Sequence, residues 1–240
     1  MSILFRDADL VAVDKPSGLA VHRGWAADDE VALTVARDQL GQRVYPVHRL
    51  DRGTSGVLLF ALSPAMATAM SQAFAAGRVE KRYLALVRGV PPEEGLVDHP
   101  LPPGENPKAA RVSAQTRFRR CEVFGRYSLV ELWPLTGRLH QVRRHMKHLA
   151  CPLIGDVNYG KCEHNRLFRA KYGLHRLFLH ATRIRLPHPR TGAMVDIVAP
   201  LADELERLLV ALRADGPARR PGAVTPFPLV SGPWPRPYPW

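Results

Sequence analysis

One carboxylate, Asp51, stands among basic side chains in residues 48–56 (HRLDRGTSG), ahead of two glycines. Neighbouring positive charges favour the ionised form of a carboxylate, and glycine permits tight turns and close approach by a ligand. An ionised carboxylate on such a turn can act as a nucleophile or as a general base. Asp, Ser and Thr also cap backbone amides in ordinary turns, so this stretch alone favours a structural role.

Two further stretches carry residue types that suit nucleotide binding. In residues 81–87 (KRYLALV), Tyr83 is either half-buried packing in a strand or, in a cleft, a ring that stacks on a base. Residues 136–145 (TGRLHQVRRH) predict a glycine turn that opens a helix, whose free amides suit a phosphate. Arg143 lies off the apolar face of that helix and could bind a carboxylate through two hydrogen bonds.

Strand patterns alternate with a few helices in the elements that must position these residues. The apolar run of residues 56–62 predicts a buried strand, and Ser63 and Pro64 then suit the start of a helix that ends at Gly77. Further strands are predicted at residues 3–5, 10–14, 82–87, 112–118, 127–133, 177–184 and 194–198. Further helices are predicted at residues 31–39, after Gly137, and at 203–212. This spacing does not suit repeating parallel βαβ units, so the pattern predicts a mixed α+β fold.

Positive charge is concentrated in residues 136–185, which hold eleven Lys or Arg against two acidic residues, in a chain of net charge +12. Such a patch attracts a polyanion through Coulomb steering and counterion release. A basic surface that only keeps the protein in solution is the alternative, and the strength of the patch favours nucleic acid.

Several protein classes are excluded by composition. Three cysteines without a close pair do not make a disulfide scaffold and favour a reducing cytoplasm. No apolar stretch approaches the length of a membrane span, and the N-terminus does not resemble a signal peptide. Cys151, Cys162 and His164, with His145 or His148, fit no standard zinc spacing, so no metal site is predicted.

Proline dominates the end of the chain, where residues 216–240 hold eight of the 22 prolines and no acidic residue. Proline lacks the amide hydrogen that helices and sheets need. We therefore expect an extended tail outside the fold, and a single domain over residues 1–215.

Four motifs occur in a fixed order: DKPSG at 14–18, HRLDRGTSG at 48–56, KRYLALV at 81–87 and TGRLHQVRRH at 136–145, followed by PLIGD at 152–156. Together they resemble the motifs of the RluA family of pseudouridine synthases. The resemblance implies a mostly antiparallel mixed sheet with flanking helices and a central RNA-binding cleft. It also implies a monomeric cytoplasmic enzyme that isomerises a specific uridine in RNA without a cofactor.

The resemblance also implies roles for single residues. Asp51 matches the family's catalytic aspartate, Tyr83 its active-site tyrosine, and Arg143 the arginine that pairs with the catalytic carboxylate. Arg49 matches a side chain that enters the space left by the flipped base. The remaining RNA-binding or pocket-wall candidates are His48, Arg138, His140, Arg144, Leu153 and Ile154.

The RNA substrate is suggested by further segments, among them residues 18–25 and 164–181, which are most similar to family members that modify uridine 65 of tRNA. The proline-rich connector of residues 91–107 departs from the family pattern. Ribosomal 23S RNA or another tRNA position therefore stays open as the substrate. A non-catalytic RNA-binding protein that uses the same basic patch is the remaining alternative.

Overall fold

The computed structural model describes residues 1–23, 30–104, 106 and 108–216. Its strands are β1 (Ile3–Arg6), β2 (Leu10–Lys15), β3 (Tyr45–Pro46), β4 (Ser55–Ala61), β5 (Glu80–Arg88), β6 (Glu94–Asp98), β7 (Gln115–Phe124), β8 (Tyr127–Pro134), β9 (Leu179–Pro187) and β10 (Met194–Val198). Its helices are α1 (Ala32–Leu40), α2 (Pro64–Ala75), α3 (Gln141–His148), α4 (Cys162–Tyr172) and α5 (Asp203–Ala214).

All ten strands join one sheet, in the order β1-β2-β4-β9-β5-β8-β7-β6, with β10 paired to β9 and β3 to β4. Within the described chain, the β4–β9 pairing is parallel and every other strand pairing is antiparallel. The predicted mixed α+β fold with a mostly antiparallel sheet is thus confirmed. The parallel pairing brings the start of β4, just after Asp51, beside β9.

Gly56 is the residue that permits this pairing. Its φ is +107°, and a Cβ atom there would lie 2.2 Å from the carbonyl oxygen of Ala181 on β9. Only glycine fits so close an approach without a shift of the backbone. Because β5 pairs with the other edge of β9, this contact also sets how near the Asp51 loop comes to Tyr83.

Helices cover both faces of the sheet. On α2, the Ser63 hydroxyl accepts a hydrogen bond from the Met66 amide at 3.2 Å, and the buried Met66 and Met70 pack beneath β4. Helix α3 buries Val142 and Met146 against β5 and β8. Helix α5 buries a leucine face against a separate cluster on the sheet.

Sequence reasoning missed β3, β6 and α4, each of which has few buried residues. Strand β6 buries only Val97, and α4 buries only His164 and Phe168, so neither shows a clear apolar period. The strand expected at residues 112–118 begins at Gln115 and extends to Phe124. Residues 217–240 lie outside the described residues, so the expected tail stays a prediction. No helix among the described residues is long and apolar enough to cross a membrane.

Candidate active site

Asp51 lies on the loop between β3 and β4, and the turn after β2 holds that loop in place. The Gly18 amide donates to the Arg52 carbonyl at 2.8 Å, and the Ser17 hydroxyl donates to the Gly53 carbonyl at 2.8 Å. The Thr54 amide closes the loop on the Asp51 carbonyl at 3.0 Å. The first and second sequence motifs therefore form one backbone unit.

Lys15 anchors the same unit from inside the protein. Its fully buried ammonium donates to the carbonyls of Pro16 at 2.9 Å, Leu19 at 2.7 Å and Arg52 at 3.2 Å. Burial, helped by the charge of Arg176, lowers the pKa of Lys15 to about 7. Sequence reasoning placed this lysine in a motif without a role, because the three carbonyls come together only in the fold.

Arg143 joins two carboxylates. Its Nη1 donates to Asp51 Oδ2 at 3.0 Å, and its Nε and Nη2 donate to Asp156 Oδ2 at 2.7 Å and Oδ1 at 2.9 Å. Burial opposes the charge on Arg143, but the hydrogen bonds to Asp156 and Asp51 outweigh it and raise the pKa of the guanidinium. Burial likewise opposes the charge on Asp156, and Arg143 with two backbone amides nevertheless lowers the pKa of that carboxyl below its usual value.

His140 faces the other oxygen of Asp51. Its Nε2 lies 3.9 Å from Asp51 Oδ1, and its Nδ1 lies 3.1 Å from the Tyr159 hydroxyl. The backbone of His140 is left-handed, with φ of 52°, a conformation that non-glycine residues adopt rarely and often at functional sites. Burial lowers the pKa of His140 despite the nearby Asp51 charge, so the ring is neutral at pH 7.

A cavity of about 400 Å³ opens beside these groups and is lined by Asp51, Tyr83, Arg143 and His140. This volume is in the range of small-ligand pockets. Burial, and then the charge of Asp51, raises the pKa of Tyr83, so its hydroxyl stays protonated at neutral pH. The structure thus brings together the three residues matched to the family's catalytic positions.

Lys81 lines the cavity as well. Its Nζ donates to the Thr136 carbonyl at 3.2 Å, next to Gly137 at the start of the turn before α3. Burial lowers the pKa of Lys81 to about 8. The cavity therefore offers a cation in addition to Arg143, and that cation was not among the predicted site residues.

Other predicted contacts lie at different depths. Arg49 is exposed and lines the cavity. His48 also lines it, although its Nε2 accepts the Leu59 amide at 2.9 Å and its ring stacks on Phe74. Burial lowers the pKa of His48 to about 3, so it is a neutral residue that holds the loop on β4.

The connector between β6 and β7 packs on α3 and on the turn before it, through two arginines predicted to bind RNA. Arg144 Nη1 donates to the Pro102 carbonyl at 3.1 Å, and Arg138 Nε donates to the Ser113 carbonyl at 3.1 Å. Arg138 is exposed and lines the cavity, whereas Arg144 is half-buried.

Leu153 and Ile154 are not brought to the cavity. Each is 1% exposed, and neither is among the described side chains that line it. Leu153 packs in the core with α3 and β5, and Ile154 packs with Phe168 of α4. The pocket-wall contact expected for them is therefore replaced by a core role, because their strand-like segment pairs with Leu86 and turns inward.

Two of the alternative zinc residues are engaged in other contacts. His145 bonds to Thr116 and to the His99 carbonyl, and His164 bonds to the Tyr127 hydroxyl. Within the described ranges, the residues with closely spaced potential ligand atoms are Asp7, Asp9 and His188. There, His188 Nδ1 accepts two backbone amides, so Nε2 carries the proton and faces the carboxylates directly.

Comparison with known proteins identifies the family. A family model described as RNA pseudouridylate synthase matches residues 9–148. The chain belongs to this family. A tRNA pseudouridine synthase C of Haemophilus ducreyi is 44% identical over 87% of this chain and 94% of its own length. One of Vibrio parahaemolyticus is 39% identical over 90% of this chain and 96% of its own.

Solved structures agree with the family assignment. Human RNA Pseudouridylate Synthase Domain Containing 4 superposes with a TM-score of 0.73 at 29% identity, covering 91% of this chain and 94% of that one. Human RNA Pseudouridylate Synthase Domain Containing 1 superposes with a TM-score of 0.68 at 26% identity, covering 89% of this chain and 94% of that one. The resemblance seen in the sequence is confirmed: the protein is an RNA-modifying isomerase with the pseudouridine synthase fold.

Proposed function

We propose that this pseudouridine synthase acts on tRNA, with Asp51 as the reacting carboxylate. The observation that carries the assignment of Asp51 is its 3.0 Å ion pair with the buried Arg143 at the wall of a cavity that Tyr83 also lines. A turn carboxylate with a purely structural role would bond to nearby amides, whereas Asp51 directs its side chain to Arg143.

Pseudouridine formation breaks the N1–C1′ bond of uridine, turns the uracil and joins C5 to C1′. N1 gains the proton that C5 loses, so no oxidant, reductant or added group is consumed. Asp51 either attacks C1′ or removes the 2′ proton, and both routes need an ionised carboxylate next to the sugar. Arg143 orients the carboxylate, and the cavity wall limits access of water to C1′ of the detached sugar.

Tyr83 covers the base in this proposal. Its protonated hydroxyl and its ring give one stacking surface and one hydrogen-bond donor at the cavity wall. After the base has turned, Tyr83 lies next to C5. Because its hydroxyl is protonated, it relays the C5 proton by passing its own proton on, and N1 gains the proton that C5 loses. This role is consistent with the position of Tyr83 opposite Ala181 on β9, across from the loop that carries Asp51.

The target uridine must leave its helix, at a cost of a few kcal/mol in lost stacking. Arg49 is exposed at the cavity and is proposed to fill the space left by the base. Arg138, which lines the cavity, and the half-buried Arg144 are proposed to supply phosphate contacts that offset the cost. The neutral His140 is proposed to contact the sugar or base rather than a phosphate.

Uridine 65 of tRNA is the proposed target. The relatives named tRNA pseudouridine synthase C, at 39–44% identity over most of the chain, support tRNA as the substrate class. The similarity of residues 18–25 and 164–181 to enzymes that modify this position supports the uridine.

The test is incubation of the purified protein with unmodified tRNA and, separately, with 23S rRNA, followed by carbodiimide and alkali treatment and primer extension. We expect a stop at position 65 of tRNA and none in 23S rRNA. Asp51→Asn is expected to keep RNA binding and to abolish turnover, while the exposed Asp38→Asn, paired with Arg37 on α1, serves as the matched control. Turnover by Asp51→Asn within about tenfold of the wild type contradicts the assignment.

A further inference from the structure

Asp156 is enclosed by hydrogen-bond donors. Its side chain is fully buried and accepts the fork of Arg143 together with the amides of Asn158 and Tyr159, both bonded to Oδ1 at 3.0 Å. The preceding Gly155 has φ of +79°, and a Cβ there would lie 1.9 Å from the Arg176 carbonyl. The chain thus uses a conformation open only to glycine to bring this carboxylate beneath α3.

We propose that Asp156 is a positioning residue for the reaction: it holds two N–H groups of Arg143, so that one N–H reaches Asp51 and the second oxygen of Asp51 stays available to react. This inference rests on the proposed function of Asp51. Neither the family match nor the sequence motifs assign such a role to Asp156.

The geometry of guanidinium–carboxylate pairs carries the proposal. A buried arginine with a single carboxylate partner binds both oxygens through two parallel hydrogen bonds. Here Asp156 takes that paired geometry, at 2.7 and 2.9 Å, and Asp51 receives one bond at 3.0 Å. Asp51 Oδ1 then faces the neutral His140 at 3.9 Å, beyond hydrogen-bond distance.

Charge supports the same conclusion. One guanidinium stands between two carboxylates, so the three side chains carry a net charge of −1, and Asp156 offsets part of the positive charge that would otherwise act on Asp51. A carboxylate whose charge is fully neutralised is a weaker nucleophile and a weaker base. Asp156 therefore lets Arg143 orient Asp51 without suppressing its reactivity.

The turn held by Asp156 also places a third group. The guanidinium carbon of Arg143 lies 5.1 Å from the centroid of the Tyr159 ring. The hydroxyl of Tyr159 lies within hydrogen-bond distance of His140 Nδ1. Arg143 is thus fixed by the fork on one edge and by an aromatic ring on its face. Asp156 therefore holds both the guanidinium of Arg143 and the turn that carries the Tyr159 ring.

The test compares Asp156→Asn with Glu122→Gln. Asparagine keeps Oδ1 for the two amides but puts an NH₂ group where Oδ2 accepts from Arg143 Nε, so the turn is kept and the fork is broken. Glu122 is a buried carboxylate that holds the Arg213 fork at 3.0 and 2.7 Å, with α5 on a different part of the sheet. It is therefore a matched loss of charge remote from Asp51.

We expect Asp156→Asn to lower kcat by about a hundredfold or more with KM for tRNA within about threefold, while Glu122→Gln keeps both. A loss in kcat without a change in KM for tRNA separates mispositioning of Asp51 from weaker RNA binding, which would change KM as well.

A kcat within about threefold of the wild type overturns the proposal, and so does a loss that appears in KM for tRNA rather than in kcat. If Asp156→Asn does not fold, Asp156→Glu carries the test, because it keeps the charge. We then expect kcat to fall with KM for tRNA within about threefold, because the longer side chain displaces the fork that holds Arg143. A kcat within about threefold of the wild type in a folded Asp156→Glu protein overturns the proposal. Wild-type protein inactive on every RNA contradicts the proposed function instead, so the two failures are distinguishable.

Discussion

Replacement of Arg143 by methionine should destabilise the protein as well as inactivate it. The substitution leaves Asp156, whose side chain has no solvent exposure, without its charged partner. Removal of one member of a buried ion pair costs about 3–5 kcal/mol, because the remaining charge is left uncompensated. For a chain of this size, that corresponds to a fall in Tm of about 6–20 °C.

The cost should depend on pH in a defined direction. In the wild type, the pKa of Asp156 is lowered, so its ionisation contributes stability above the unfolded-state pKa and that contribution is lost as pH falls through the folded-state pKa. In Arg143→Met, burial without the guanidinium raises the pKa of Asp156, so the penalty is full at pH 7 and shrinks toward pH 4. The difference in Tm between the two proteins should therefore narrow on acidification.

A double variant, Arg143→Met with Asp156→Asn, isolates the cause. Asparagine keeps the acceptor for the amides of Asn158 and Tyr159 and removes the unpaired charge. Replacement of a buried ion pair by neutral groups is often close to neutral in free energy. We expect urea unfolding at pH 7 to recover about 2 kcal/mol or more relative to the single variant, with no recovery of turnover.

The measurements are thermal and urea unfolding followed by circular dichroism between pH 4 and 8, beside a turnover assay on tRNA. Equal unfolding free energies for the single and double variants at pH 7 would refute the reasoning, because the unpaired carboxylate would then not be the source of the loss. A Tm difference that widens toward pH 4 would refute it as well.

Two further predictions concern RNA binding and the extent of the catalytic unit. The pKa of Lys81 is lowered to about 8, so the side chain is cationic below that pH and loses its charge above it. The affinity for tRNA, measured by filter binding, should therefore weaken between pH 7 and 9. The Lys81→Met variant should lack that part of the change, and the slope of its affinity against salt concentration should fall by about one. An unchanged pH ratio in Lys81→Met contradicts a contact with phosphate. We also propose residues 1–215 as the catalytic domain: a variant that ends at Asp215 keeps the pair with Lys171 and should retain kcat on tRNA within about threefold, whereas a tenfold loss in a folded protein contradicts that boundary.

Local patterns were enough to predict some of this fold. The apolar run of β4 is buried at all seven positions, and Ser63 with Pro64 begins α2 as the capping rules require. These features depend on neighbours in the chain. By contrast, α4 has only two buried residues, so tertiary contacts rather than its own periodicity define it.

The site residues also divide into those that motifs predict and those that only the fold reveals. Asp51, Tyr83 and Arg143 could be selected from motifs, and the fold brings them to one cavity. The function of Asp156 could not be selected, since it depends on a left-handed glycine that turns the chain beneath α3. Leu153 was expected at the pocket, yet a leucine in an apolar segment has no feature in the sequence that separates a cavity wall from a core position.

Arg143 is buried, whereas many other cationic side chains of this strongly basic protein are exposed. Exposed side chains such as Arg138 and Lys147 meet salt and RNA phosphates in competition, whereas Arg143 is enclosed with its two carboxylates and is weakly screened. Changes in ionic strength are therefore expected to act on how tightly the nucleic acid is held and to leave Asp51, the proposed reacting carboxylate, in the same electrostatic surroundings. Mutational drift among the surface cations can retune the choice of RNA while the chemistry stays the same.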